Sequence, residues 1–109
     1  MNMDLTQKVC VACEGGTEPL NTIESQVLVR QIPGWNLSED AKILSREFTF
    51  KNFKEALAFT NRVGAIAERE GHHPDLEVGW GRVKISLTTH AIKGLSENDF
   101  IVAAKVNQL

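Results

Sequence analysis

Residues 70 to 80 read EGHHPDLEVGW, which puts two of the chain's three histidines side by side ahead of a proline. Imidazole titrates near neutrality, so a positioned histidine can give a proton in one step and take one in another. Pro74 biases His73 toward extended backbone and stiffens the corner, which suits groups that must hold a fixed direction. Glu68 lies about one helical turn before the pair, and His90 is the remaining imidazole. Three imidazoles and a carboxylate, with no Ser or Cys nucleophile elbow beside them, make a set for general acid and base transfer. Adjacent residues point in different directions, so His72 and His73 are poor joint ligands for one metal ion. Each residue also has a plainer reading. A lone histidine is commonly a surface residue, Glu68 an exposed helix position, and Asp99 a capping carboxylate. Trp80 alternates with Leu76 and Val78 and reads as core or interface. Taken alone, the residues specify proton transfer in a pocket and no substrate.

The elements that position this set follow from periodicity. Ile23, Val27 and Ile32 recur at helical spacing until Pro33-Gly34, predicting a helix over 21–32 whose apolar side they form. Trp35-Asn36-Leu37 reads as a short strand. Leu44, Arg46, Phe48 and Phe50 alternate with Ile43, Ser45, Glu47 and Thr49, predicting a strand that pairs back on it. Asn52, three residues before Glu55, opens a long helix with Phe53, Leu57, Val63 and Ile66 on its apolar side, and Gly71 ends it. A strand through Leu76, Val78 and Trp80 then turns at Gly81 into a strand over 82–90. Val83, Ile85, Leu87 and Thr89 share the face toward the helices, leaving His90 on the polar face at the strand end. A last helix opens at Ser96-Glu97-Asn98-Asp99. The order α-β-β-α-β-β-α predicts an α+β domain, a four-stranded antiparallel sheet with three helices packed on one face. Edge strands of such a sheet are often closed by a second copy, so a homodimer or homotetramer is expected.

A chain of 109 residues suits one domain, expected over 20–109 behind a flexible N-terminal segment, 1–19. With 12 basic against 14 acidic residues it lacks the footprint of a nucleic-acid binder. No apolar run is long enough to span a membrane and the start does not resemble a secretory signal, so a cytoplasmic protein is expected. Cys10 and Cys13 form a single CxxC, half of a four-ligand zinc set. The preferred reading is a segment without chemistry and no metal. A zinc site drawn from His72, His90 and Asp99, or from the cysteines, is the weaker alternative.

The run Glu68-Arg69-Glu70-Gly71-His72-His73-Pro74, followed by Trp80, Thr89-His90 and Gly94-Leu95-Ser96-Glu97-Asn98-Asp99, resembles the pterin-4a-carbinolamine dehydratase family. The resemblance reaches back through Ala56-Leu57-Ala58-Phe59, Asn52-Phe53, Phe48-Thr49-Phe50 and Pro33-Gly34-Trp35. The CxxC opening is similar to an extension of bacterial members associated with phenylalanine hydroxylase. The resemblance implies dehydration of 4a-hydroxytetrahydropterin (of the tetrahydrobiopterin type) to quinonoid dihydropterin. That step would recycle the pterin of an aromatic amino acid hydroxylase, the expected functional partner, with the pterin as substrate and no cofactor. It further implies His72 and His90 as acid and base in an order left open, with Glu68 orienting an imidazole. His73, Pro74, Trp80, Thr89 and Asp99 would serve substrate binding, with Asp99 supporting His90. Animal relatives double as dimerisation cofactors of a transcription factor, so a non-catalytic binding module or transcriptional regulator is the rival class.

Overall fold

In a computed structural model of the chain, residues 4–11 and 17–109 are described. Three helices, α1 (Thr22–Val29), α2 (Phe53–Glu70) and α3 (Glu97–Val106), accompany β1 (Asn36–Leu37), β2 (Leu44–Thr49), β3 (Asp75–Gly79) and β4 (Arg82–Leu87). The strands form one antiparallel sheet in the order β1-β2-β4-β3. This is the expected α+β architecture.

The expected parity of β4 holds. Val83, Ile85 and Leu87 are fully buried, and Thr89 beyond them is nearly so. They meet Leu44, Arg46 and Phe48 across the β2–β4 register. Phe59 of α2 closes this face, its ring centroid 4.6 Å from that of Phe48 and 5.0 Å from that of Phe50. Aromatic contacts of this kind fix how the helix lies on the sheet.

Two apolar faces differ from expectation. The first helix is shorter than 21–32, and Ile23 and Val27 point outward, 73% and 53% exposed. Ser25, Leu28 and Val29 turn inward instead, and Ile32 is buried from the loop beyond the helix. On α2 the buried stripe is Ala56, Val63, Ile66 and Ala67, while Phe53 and Leu57 remain 47% and 43% exposed. Small alanines let the helix sit close to the sheet, and that contact, more than residue size, sets the stripe.

The helix ends that matter for the site are those read from sequence. Asn52 accepts from the Glu55 N–H at 2.9 Å. Gly71 closes α2 with a left-handed backbone, φ +66°, which only glycine adopts at little steric cost. At α3, Asp99 accepts the Ser96 N–H at 3.0 Å in a capping box.

α3 carries Phe100, Ile101, Val102, Ala103, Ala104 and Val106, all buried, so beyond its polar first turn it must be covered on more than one side. Part of that cover comes from the N-terminal segment. Residues 4–11, within the stretch expected to be flexible, lie against α3, and a 3-10 turn at Leu5–Gln7 sets Leu5, 2% exposed, into the core. Burying a leucine contributes about 1.5–3 kcal/mol. Cys13, the second half of the CxxC, lies outside the described residues.

Candidate active site

The corner after α2, the loop after β4 and the N-terminal segment enclose a cleft of about 530 Å³. His72, His73 and His90 all line it. The imidazoles arrive by two local devices. Gly71 reverses the chain at the end of α2 so that His72 and His73 follow at once. Beyond β4, Thr89 bridges to Gly94 and a 3-10 turn, His90–Ile92, is pinned by buried Ile92. His90 therefore stands in a turn just past the strand, exposed, its ring without a hydrogen-bond partner among the described residues.

His72 is the most constrained. Its Nε2 lies 2.6 Å from Asp99 Oδ1, with side-chain exposures of 13% and 0%. The other carboxylate oxygen of Asp99 accepts the Thr89 hydroxyl at 2.7 Å and the Ser96 N–H at 3.0 Å. With Oδ2 already occupied by donors, Oδ1 is the oxygen free to accept from His72 Nε2. His73 Nε2 lies at the same 2.6 Å from Glu68 Oε2, but in water, the side chains 60% and 78% exposed.

One carboxylate assignment thus changes. Asp99, expected behind His90, holds His72 and also caps α3. Glu68, expected to orient an imidazole, lies beside that of His73 at the rim. Thr89, expected to touch substrate, is among the lining residues but spends its hydroxyl on Asp99. Pro74 and Trp80, expected at the substrate, do not line the cleft, and Trp80 is 71% exposed in the turn between β3 and β4. Trp80 lies between β3 and β4, at the opposite end of β4 from the turn that carries His90.

The cleft is also lined by Val11, Glu70, Thr88 and Asn98, none of them a candidate site residue from sequence, and by Cys10, a candidate from sequence only as a metal ligand. Glu70 accepts the Cys10 N–H at 3.0 Å and the Lys105 ammonium at 2.7 Å. The hydrogen bond from Lys105 holds its carboxyl below the usual range. Burial, and then Glu70, push the Cys10 thiol up to about 12, so it stays a neutral thiol. Asn98 ties Val11 with two bonds, accepting its N–H at 3.0 Å and donating to its carbonyl at 2.5 Å. Asn98 and Val11 are 87 residues apart, a pairing no local pattern signals. Among the described residues no group of three His, Cys, Asp or Glu side chains is arranged to hold a metal ion.

An α+β domain with three imidazoles around one cleft, one of them fixed by a buried carboxylate, has the form of an acid–base enzyme. The comparisons with known proteins narrow this. The sequence model of the family described as pterin 4 alpha carbinolamine dehydratase matches residues 18–109. A protein of Halorhodospira halophila provisionally named pterin-4-alpha-carbinolamine dehydratase is 48% identical over 98% of this chain and 98% of its own. One of Rubrobacter xylanophilus with the same name is 51% identical over 97% of this chain and 98% of its own. The crystal structure of a transcriptional coactivator/pterin dehydratase from Brucella melitensis superposes with a TM-score of 0.78 at 31% identity, covering 84% of this chain and 97% of that one. A pterin dehydratase-like protein described as a RuBisCO assembly factor in the alpha-carboxysome gives 0.59 at 25% identity, over 69% and 87%. The chain belongs to the pterin-4a-carbinolamine dehydratase family, a family of hydro-lyases.

Proposed function

We propose that the chain dehydrates 4a-hydroxytetrahydropterin to quinonoid dihydropterin, with its imidazoles moving the protons. The observation that carries this reading is His72, fixed on buried Asp99, in a cleft shared with His73 and His90. The reaction removes the proton on N5, breaks the C4a–O bond and forms the C4a=N5 double bond. The hydroxyl leaves as water once it has gained a proton. An acid and a base suffice, and the pterin is the substrate.

His72 is the base. Its Nε2–H is held by Asp99, so Nδ1 accepts the N5 proton, and the carboxylate stabilises the imidazolium that forms. His90 is the acid, open to solvent and able to reload from it. His73, oriented by Glu68, rests against the pterin ring. Loss of the ultraviolet signal of the 4a-hydroxy intermediate, followed by stopped flow, tests the assignment. His72→Ala and His90→Ala should each slow turnover by about 10²–10⁴ while circular dichroism stays unchanged. Wild-type rates in both variants would remove the imidazoles from the mechanism.

The step returns spent pterin from an aromatic amino acid hydroxylase, in the cytoplasm. Among the described residues no helix is long and apolar enough to cross a membrane. The protein works as a homodimer or homotetramer. β3 is an edge strand bearing partly exposed Val78, with Trp80 exposed in the adjoining turn, and α2 exposes Phe53 and Leu57. Sedimentation equilibrium that gives a monomer at micromolar concentration would count against this.

The rival reading is a module that stabilises a partner protein. The descriptions of the Brucella and carboxysome relatives favour it, as do Ile23 and Val27 exposed on α1. On that reading His72→Ala is silent, and Ile23→Asp with Val27→Asp abolishes partner capture.

A further inference from the structure

The N-terminal segment Asp4–Val11 precedes the part of the chain that the family model matches, which begins at residue 18. It nevertheless reaches the cleft, and Cys10 and Val11 line it beside the three imidazoles. The segment is fastened at several points. Leu5 sits in the core, Lys8 Nζ lies 3.2 Å from Glu97, and the Cys10 N–H donates to Glu70 at 3.0 Å. The Cys10 thiol donates to the Asn98 carbonyl at 3.7 Å, and the Asn98 side chain binds both the N–H and the carbonyl of Val11.

The anchors are themselves withdrawn from water. The Glu70 side chain is 4% exposed and Asn98 5%. Without the segment, Glu70 and Asn98 would lose these bonds, and water would have to replace them at positions shaped for this backbone. The anchors therefore specify the path of the segment. They also consume its polar groups. The N–H of Cys10 and both backbone groups of Val11 are bonded to the protein, and both residues line the cleft, the Val11 side chain being an isopropyl group with no polar atom.

We infer that Cys10 and Val11 form a wall of the substrate cleft, positioned by Asn98 and Glu70, against which an apolar part of the pterin rests. The wall sets substrate affinity and leaves proton transfer to the imidazoles. This rests on the dehydratase reading above. Val11 is 68% exposed, so it can be replaced without disturbing the core, and Val9 is equally exposed on the same segment but does not line the cleft.

The experiment compares Val11→Asp with Val9→Asp in the full chain, using stopped-flow turnover and a fluorescence titration with biopterin, an oxidised pterin that does not react. A carboxylate in the wall opposes an apolar contact, so Val11→Asp should raise KM and the biopterin Kd by about tenfold or more. Its kcat should stay within about twofold of wild type, because only binding has been touched. Val9→Asp should match wild type in all three quantities. If wild type turns over the carbinolamine and Val11→Asp has an unchanged KM and Kd, the wall assignment falls and the dehydratase reading stands. If wild type binds biopterin without turnover, the dehydratase reading falls, and the two Kd values still decide the wall. If wild type neither turns over the carbinolamine nor binds biopterin, both fall.

Discussion

His72 and His73 are neighbours, and each ring holds a carboxylate at 2.6 Å, yet the two pairs stand in different media. Asp99 is sealed at 0% exposure and takes two further hydrogen bonds, whereas the Glu68 carboxylate is 78% exposed and, among the described residues, meets only His73. Water competes for the outer pair and screens it, so exposed pairs are worth about 0–1 kcal/mol. The inner pair has no such competitor, and removing one partner strands the other. Equal length therefore hides unequal consequence. Burial and the remaining bonds of the carboxylate decide whether a contact merely steers a side chain or fixes a proton.

The sharpest way to break this contrast is Asp99→Asn. The amide keeps the shape but turns one acceptor into a donor, so either His72 or the Ser96 and Thr89 donors lose their partner. We expect kcat to fall by about 10²–10⁴, as when a base loses its orienting group. Stability should fall by about 1–3 kcal/mol from the buried unsatisfied group. Stopped flow and urea denaturation measure the two effects. A kcat within about threefold of wild type would falsify the role given to the inner pair.

The halves of this contrast differ in how far the sequence announces them. Asn52, Gly71 and Ser96 are local signals, and the helix ends they predict carry the imidazole corner and the capping carboxylate to their places. Tandem histidines ahead of a proline are equally local. What periodicity missed is tertiary. Asp99 is legible as a cap, but which ring its second oxygen meets depends on how α3 packs against the end of α2. The apolar stripe of α2 is set by Ala56 and Ala67 more than by Phe53 and Leu57, since close approach to the sheet favours small residues there. The covering of α3 had a usable sign, a run of Phe100-Ile101-Val102-Ala103-Ala104 with no polar face, which requires a cover on more than one side. Its owner, the segment around Leu5, could not be read from that run.

Glu70 and Lys105 extend the comparison to a second enclosed pair, with side chains 4% and 11% exposed. Glu70→Ala strands the Lys105 ammonium and removes the acceptor of the Cys10 N–H. The cost should be about 3 kcal/mol. The pH dependence has a definite sign. Because Lys105 lowers the Glu70 pKa from its ordinary 4.5, the stabilisation is complete above that value and is lost as pH falls through the lowered one. Urea midpoints of wild type and Glu70→Gln should therefore converge toward acid pH. Parallel curves down to pH 2 would contradict the pairing.

Cys10 gives a smaller effect of opposite sign. Its thiol is raised from 9.0 to about 12, so the folded state favours the protonated form. This contribution is complete below pH 9.0 and is lost as pH rises toward about 12. In a Cys13→Ser background, iodoacetamide should label Cys10 about 10³-fold more slowly than a free thiol at pH 8, in proportion to thiolate. Labelling at the free-thiol rate would mean that the segment is not seated in the native protein.

The smallest effect is expected at Glu68→Gln, and it bears most directly on the contrast. Glutamine can still accept from His73, and the site is open to water, so stability should move by no more than about 0.5 kcal/mol. Turnover should stay within about threefold, with any loss appearing in KM, because the proposed mechanism sets His73 against the ring and gives it no part in proton transfer. Salt supplies an independent check. At 1 M the screening length is about 3 Å, so the wild-type outer pair should already behave like the variant, while Asp99, away from solvent, should show no such convergence. If Glu68→Gln instead lost as much kcat as Asp99→Asn, the burial of Asp99 would not be what separates the two pairs, and proton transfer would have to be reassigned to His73.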